Sequence, residues 1–214
     1  MLVDLALNDK DALIIGRGKE VEIRARQFLA EKANVSILSD AVTKKSLLSN
    51  SIGTRLIIYP GGLASWKRVV GGARPFVTVI STGDLNLDEE IAKSAHTVSN
   101  LVYVVDRPHL NDLNMTGVAK LGDIRVAVST KGMSPAMSGV LRRKIESLIE
   151  PEDILQVKLQ GEVRDSLKKS IEDPALRKKV VYKLIRDRRI SSMLQSDKFE
   201  DARRRALELI MEFG

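Results

Sequence analysis

The sequence predicts an α/β protein that begins with a parallel sheet and ends in helices, and three observations lead to this prediction. Short apolar runs alternate with helix-like segments over the first half of the chain, which is typical of parallel strands buried on both faces. Two further runs follow each other across a tight turn, which indicates an antiparallel pair. Beyond residue 150 the apolar residues recur at helical spacing.

The first element is the stretch 12–21, in which an apolar run precedes two glycines one residue apart and a segment of helical spacing. A phosphate-binding turn requires this order, because N–H groups at the helix N-terminus must meet the anion unobstructed. Gly16 is expected to take the tight turn and Gly18 to let the backbone approach a pyrophosphate. An ordinary strand-to-helix turn is the alternative, since Val21 replaces the third glycine of the G-x-G-x-x-G pattern. The candidate cofactor contacts here are Gly16, Arg17, Gly18, Lys19, Glu20 and Val21.

A second apolar run, Val35–Leu38, is followed by Asp40. This is the separation at which an acidic residue after the second strand meets a ribose hydroxyl. The residues between the two runs have the pattern of a crossover helix. A β-α-β unit with its acid in place favours dinucleotide binding.

Three more apolar runs, 55–59, 76–81 and 101–105, continue the alternation, with a helix predicted from Asp88 to Ala95. This is the pattern of a Rossmann-type sheet, whose ligands bind beyond the carboxyl ends of the strands. Four candidate residues follow such ends and should share one crevice: Gly16, Asp40, Thr82 and Asp106.

The pattern changes after Asp106. The runs 117–120 and 124–129 predict an antiparallel pair, and Ser134 and Pro135 predict the N-cap and first residue of a helix that continues through Ile149 and is ended by Pro151. A further helix starts at Asp173–Pro174 and the last extends over 199–210. The predicted apolar faces of these later helices are Ile154, Val157, Leu159, Val163, Leu167 and Ile171, then Leu176, Val180, Val181, Leu184 and Ile185.

Composition restricts the class of protein. Of 214 residues, 43% are hydrophobic and 29% charged, no apolar run approaches the ~20 residues of a membrane span, and no signal peptide is visible. The absence of cysteine excludes disulfides, thiolate zinc sites and cysteine nucleophiles. Two histidines and scattered acids give no metal-ligand spacing, so no metal site is predicted. A cytoplasmic protein with no membrane association is expected.

The net charge of +7 raises the alternative of a nucleic-acid-binding protein. The basic excess is spread along the chain, however, and aromatic residues make up only 4%. The runs 177–179 and 203–205 are interpreted as solvated helix faces. This distribution suits a polyanionic small molecule at least as well as DNA, and no nucleic-acid partner is predicted.

Asp106 is the candidate catalytic residue. A carboxylate at the end of a central strand, near a nicotinamide, is placed to act as a general acid or base. A turn carboxylate that caps the Arg107–Pro108 bend is the alternative. His109 could titrate near neutrality, but a single loop histidine is more often structural or solvated.

At these residues the chain resembles the precorrin-2 dehydrogenase family, the dehydrogenase/ferrochelatase module of siroheme synthase. The resemblance covers nearly the whole chain and rests on Ile15–Gly18, Ile80–Asp84, Val104–Pro108 and Val126–Pro135. The last two segments are the most specific. Val21, Tyr103 and Arg17 depart from the family's usual residues.

The resemblance implies NAD⁺-dependent oxidation of precorrin-2 to sirohydrochlorin, with Asp106 matching the catalytic aspartate. Some members of the family also insert Fe²⁺, which would then be a second substrate. The implied architecture is a Rossmann domain at 1–111, a small β-rich dimerisation segment at 112–150 and a helical C-terminal domain at 151–214, assembled as a homodimer. The tetrapyrrole has eight carboxylates, and Lys131, Arg142 and Arg143 are candidate partners for them.

Within this interpretation Asp40 binds the adenosine ribose and favours NAD over NADP, because a carboxylate repels a 2′-phosphate. Thr82 lies beside the nicotinamide half. Two other classes of protein stay open: a regulatory module that senses NAD without turnover, and a basic protein whose helical third contacts nucleic acid.

Overall fold

The computed structural model describes residues 2–40 and 55–213. The chain divides into two compact units, Met1–Met115 and Thr116–Gly214. The finer division at 111 and 150 stays a prediction.

The first unit is built on parallel strands joined by helices. Its strands are β1 (Asp11–Gly16), β2 (Asn34–Leu38), β3 (Leu56–Ile58), β4 (Val77–Ser81) and β5 (Leu101–Val104), and its helices are α1 (Gly18–Ala30), α2 (Trp66–Gly72) and α3 (Leu85–Ala95). Short 3₁₀ turns cover Leu63–Ser65 and Pro108–Leu110.

The five described strands lie in the order β3-β2-β1-β4-β5, and every pairing is parallel. β1 is central, with Ile14 opposite Ile37 of β2 on one side and Val79 of β4 on the other. The chain moves outward from β1 to β2 and β3, then crosses back to β4 on the opposite side. This confirms the predicted Rossmann-type sheet and places its topological switch point between β1 and β4.

Alternate residues of β1 serve two cores, one on each face of the sheet. Ile14 packs with Val21, Phe28 and Leu29 of α1. Leu13 and Ile15 face the other way, toward α2 and α3. Burial on both faces explains why the strands have near-continuous apolar sequences.

The second unit joins a hairpin to helices. The strands β6 (Gly117–Leu121) and β7 (Ile124–Val128) pair antiparallel, as predicted. The helices are α4 (Pro135–Glu146), α5 (Pro151–Ser170), α6 (Pro174–Arg186), α7 (Arg188–Gln195) and α8 (Phe199–Met211). α4 packs against the hairpin, and α5–α8 enclose a separate apolar core that contains Leu159, Val180, Ile190 and Leu209.

Side-chain caps fix several helix starts. Ser134 accepts a hydrogen bond from the Met137 amide at the start of α4, and Asp173 accepts two at the start of α6. The Ser134 cap and the following Pro135 were predicted from the sequence, as was a helix start at Asp173–Pro174.

Other predicted boundaries were wrong. α3 begins at Leu85 rather than Asp88, because the Asp84 side chain caps the amides of Asn86 and Leu87. α4 ends at Glu146 rather than continuing through Ile149, and Pro151 is the first residue of α5 rather than the end of α4.

Two side chains of the predicted apolar faces are exposed: Val157 at 42% and Ile185 at 44%. Apolar side chains at the edge of an amphipathic helix remain in contact with water when the apolar face is narrow. The sequence pattern did not distinguish α2 or α7 as separate helices.

Candidate functional site

The carboxyl ends of the parallel strands bring four predicted residues to one edge of the sheet. Gly16 ends β1, Asp40 follows β2, Thr82 follows β4 and Asp106 follows β5. Since ligands of open α/β sheets bind at this edge, beside the switch point, this edge of the first unit is the candidate site.

Gly16 is required for close packing rather than for the turn expected of it. It lies in β1 opposite Ser81, and a Cβ on Gly16 would collide with the Ser81 carbonyl and lie 3.0 Å from Cγ2 of Val21. The Arg17 amide donates a hydrogen bond to that same carbonyl at 2.8 Å. Val21 is only 1% exposed, so its side chain packs the helix on the strand and is not presented to a ligand.

Gly18 supplies the backbone conformation of the turn. It has φ of +73°, and a Cβ there would meet no atom within 4 Å. It is the first residue of α1, whose N-cap residue Arg17 makes no side-chain capping bond. The first-turn amides of α1 are therefore not capped by the Arg17 side chain, and a helix N-terminus of this kind binds phosphate. Lys19, the next residue, is exposed.

Asp40 is held by two hydrogen bonds from neighbouring loops. Its Oδ2 accepts from Nε of Arg17 at 3.2 Å, and its Oδ1 accepts from the Leu63 amide at 3.1 Å. Gly62 has φ of +54°, and a Cβ on it would collide with the Asp40 carboxylate. The carboxylate is thus fixed beyond the end of β2, where an adenosine ribose is expected.

Thr82 is occupied by internal hydrogen bonds. Its amide and hydroxyl both donate to Oδ1 of Asp88, at 2.9 and 2.7 Å, and both residues are 4% exposed. The Asp84 amide donates to the Thr82 hydroxyl at 3.1 Å. Thr82 therefore shapes the turn after β4, and its side chain is not turned outward for a ligand.

Asp106 is exposed and has an unusual backbone conformation, with φ of 58°. The Val105 amide donates to Ile80 at 2.9 Å and the Arg107 amide to Val104 at 3.3 Å, so the turn is hydrogen-bonded on both sides of Asp106. A left-handed backbone costs a residue with a Cβ about 1–2 kcal/mol, and aspartate tolerates it better than most. Such conformations cluster at functional sites.

The two histidines are placed differently. His109 is exposed on the 3₁₀ turn after Asp106. His96 caps the end of α3, with Nε2 at 3.2 Å from the Leu110 carbonyl and Nδ1 at 3.4 Å from Asp112. His96 therefore holds the segment after β5.

One cluster at this edge was not predicted. Arg24 of α1 pairs with Glu20 one helical turn earlier and lies over the Tyr103 ring, with its guanidinium carbon 5.5 Å from the ring centre. Burial raises the pKa of the Tyr103 phenol, Arg24 opposes this, and Glu20 and Asp106 add to it. The four-residue spacing of Glu20 and Arg24 could have indicated their pair, but nothing in the sequence placed Tyr103 beside it.

The candidate substrate residues lie in the second unit. Lys131 is exposed with φ of 52°, in a turn closed by hydrogen bonds between Thr130 and Ser134. Arg142 pairs with Glu146 at 2.9 Å, whereas Arg143 is exposed.

Several features bear on other classes of protein. Within residues 2–40 and 55–213, no group of three or more His, Cys, Asp or Glu side chains is arranged to hold a metal ion. None of the described helices has the length and apolarity needed to cross a membrane. The arginine run 203–205 is engaged in ion pairs with acids of the same unit, which include Glu162, Asp201 and Glu208.

The chain is similar to known proteins along nearly its whole length. Residues 3–116 match the model of a family described as "Putative NAD(P)-binding". A precorrin-2 dehydrogenase of Methanosarcina barkeri is 26% identical over 212 residues, which are 98% of this chain and 92% of that protein.

Siroheme synthases are also similar. Those of Citrobacter koseri and Psychrobacter cryohalolentis are 27% and 29% identical over 193 and 168 residues. This chain spans only 41% and 31% of their lengths. Among solved structures, SirC, a precorrin-2 dehydrogenase, superposes with a TM-score of 0.73 over 99% of each chain at 16% identity, which supports the fold.

Proposed function

The chain belongs to the NAD(P)-binding family that matches residues 3–116, and from that premise we propose that it oxidises precorrin-2 to sirohydrochlorin with NAD⁺ as the hydride acceptor. The reaction class and substrate come from the M. barkeri relative, which is similar along nearly the whole of both chains. The single observation in this chain that carries the proposal is the position of Asp106. It lies at the same sheet edge as the glycine turn and Asp40.

The residues of this edge fit a dinucleotide. Gly18 leaves open space in front of the first turn of α1, where the amides can receive a pyrophosphate. Asp40 accepts hydrogen bonds through both oxygens and has further lone pairs for ribose hydroxyls. When bound, the nicotinamide supplies a two-electron acceptor for hydride.

Asp106 performs the proton chemistry in this proposal. Oxidation of precorrin-2 removes a hydride and a proton, and the proton needs an acceptor near the sheet edge. The Asp106 carboxylate is exposed and has a backbone held by the turn on both sides, so it is available to take or relay that proton. A positioned general acid or base contributes typically about 10²–10⁴-fold to the rate.

The substrate and the protein are electrostatically matched. Precorrin-2 has eight carboxylates, and this chain has a net charge of +7. Exposed cations of the second unit, Lys131 and Arg143, together with Arg142, are the proposed carboxylate partners. Rising ionic strength would weaken the contacts of Lys131 and Arg143 because these two charges are solvent-exposed.

We also propose a homodimer in the cytoplasm. α4 buries none of its residues, and its apolar side chains recur at helical spacing on an exposed face: Met137 at 48%, Val140 at 46%, Leu141 at 39% and Ile145 at 41%. An exposed apolar face on a helix that already packs on a hairpin fits a second copy of the same chain.

The experiment is an anaerobic absorbance assay with precorrin-2, in which NAD⁺ is either present or omitted and Fe²⁺ is added once the signal settles. A sirohydrochlorin spectrum that requires NAD⁺ supports the dehydrogenase. A further iron-dependent change above the spontaneous rate would add Fe²⁺ insertion as a second reaction. Folded protein that binds NAD⁺ yet gives no NAD⁺-dependent spectral change would favour an NAD-sensing module instead.

A further inference from the structure

An ion pair joins the ends of two neighbouring strands at the proposed adenosine end of the site. Nε of Arg17, which follows β1, donates to Oδ2 of Asp40, which follows β2, at 3.2 Å. The two side chains are 58% and 48% exposed, so a nucleotide could reach both. An exposed pair of this kind contributes little to stability, so stability gives no reason for its position.

The two partners are held unequally. The Leu63 amide donates a hydrogen bond to Asp40 at 3.1 Å. Gly62 lies against the carboxylate so closely that a Cβ on it would collide with Asp40. Arg17, in contrast, makes no side-chain capping bond to α1, and Asp40 is the ion-pair partner that the structure describes for it. The carboxylate is therefore the fixed member and the guanidinium the movable one.

These two groups recognise different forms of the adenosine ribose, one with a 2′-hydroxyl and one with a 2′-phosphate. A carboxylate accepts hydrogen bonds from a ribose 2′-hydroxyl and repels a 2′-phosphate. A guanidinium binds phosphate with two parallel hydrogen bonds. This chain places both groups beside each other, beyond the strand ends where the adenosine ribose is proposed to bind.

We propose that the Arg17–Asp40 pair determines nucleotide selectivity. Arg17 would bind a 2′-phosphate if it were free, and its ion pair with Asp40 prevents this. In addition to the repulsion between its carboxylate and a 2′-phosphate that the sequence predicts, Asp40 favours NAD⁺ by keeping the Arg17 guanidinium paired. This inference rests on the dinucleotide site of the proposed function, but not on the identity of the substrate.

The test is equilibrium binding of NAD⁺ and NADP⁺ by isothermal titration calorimetry, without turnover. The unaltered protein should prefer NAD⁺. Asp40→Asn keeps an acceptor for the Leu63 amide and releases Arg17, so NADP⁺ affinity should rise at least about tenfold while NAD⁺ affinity falls. Adding Arg17→Ala to Asp40→Asn should remove the part of that gain that the guanidinium supplies and leave the smaller part that comes from the lost repulsion.

Glu90→Gln is the matched control. Glu90 of α3 forms an exposed ion pair with Lys67 of α2 at 3.0 Å in the same unit, and its loss should change neither Kd. Thermal unfolding of each variant checks that the fold is retained.

Two results would overturn the proposal. One is an Asp40→Asn variant whose NADP⁺ affinity does not depend on Arg17. The other is unaltered protein that binds both nucleotides equally. Protein that binds neither nucleotide would overturn the proposal together with the cofactor assignment, whereas selective binding without precorrin-2 oxidation would leave the proposal standing and contradict only the proposed reaction.

Discussion

At the scale of single residues, Asp106 combines a proposed chemical role with a backbone that few residues adopt, at φ of 58°. Asparagine tolerates this conformation about as well as aspartate, whereas alanine lacks a side chain that can compensate for it. The free energy of unfolding of Asp106→Ala, measured by denaturant titration, should therefore be about 1 kcal/mol lower than that of Asp106→Asn. Equal stability of the two variants would contradict the structural part of this account. Asp106→Asn is accordingly the variant in which chemistry can be tested without loss of fold.

Tyr103 provides a pH-dependent prediction. Burial raises the pKa of its phenol above the ordinary value, with Arg24 opposing and Glu20 and Asp106 adding to the shift. The unfolded chain ionises this phenol at about pH 10, so the stabilisation is complete below that pH and is lost as the pH rises through the higher folded-state pKa. Denaturant unfolding at about pH 9 and about pH 11 should show a larger loss of stability for the unaltered protein than for Tyr103→Phe. A loss of equal size in both would exclude Tyr103 as the cause.

At the scale of secondary-structure elements, Asp88 connects the end of β4 to the first turn of α3. It is 4% exposed and accepts two hydrogen bonds from Thr82. Asp88→Ala leaves the Thr82 amide and hydroxyl without their partner, which should lower the free energy of unfolding by about 1–3 kcal/mol. Glu89→Ala, one residue further along the same helix, is the control and should change stability little. A thermal melt that does not distinguish the two variants would contradict this role.

The sequence predicted the strands because their burial on both faces leaves a continuous apolar signature, as in Leu13–Ile15. It also predicted caps whose chemistry is local, such as Ser134 before Pro135. It placed the start of α3 three residues late, because the acids after Asp84 looked like a first turn while Asp84 itself was the cap. It carried α4 too far because Leu148 and Ile149 keep the apolar spacing beyond the last helical hydrogen bonds.

Part of the candidate site could likewise be predicted from the sequence, and part could not. Gly16, Asp40 and Asp106 could be placed from the sequence, because strand ends of a parallel sheet share one edge. The contacts that hold the side chains of this edge could not be predicted, because they join residues far apart in the chain. Examples are the hydrogen bond from Leu63 to Asp40 and the contact of Arg24 with the Tyr103 ring. Thr82 was placed correctly at its strand end, but its bonds to Asp88 depend on a helix start that the sequence misplaced.

At the scale of the whole molecule, the exposed apolar face of α4 predicts self-association. Leu141 is 39% exposed on that face, and Leu141→Glu would introduce a charge where a second copy is proposed to pack. Light scattering after size exclusion should give a dimer for the unaltered protein and a monomer for Leu141→Glu. Val157→Glu is the control, since Val157 is equally exposed, at 42%, on α5. If Leu141→Glu still forms a dimer, the interface does not lie on this face of α4.

The central claim is that this chain transfers hydride from precorrin-2 to NAD⁺ with Asp106 handling the proton. The most direct measurement mixes limiting precorrin-2 with protein saturated in NAD⁺ and follows reduced nicotinamide and sirohydrochlorin together in a single turnover. The account predicts one reduced nicotinamide for each sirohydrochlorin, formed at the same rate, and a rate about 10²–10⁴-fold lower in Asp106→Asn at little-changed NAD⁺ affinity. Sirohydrochlorin that forms without reduced nicotinamide, or at an undiminished rate in Asp106→Asn, would contradict it.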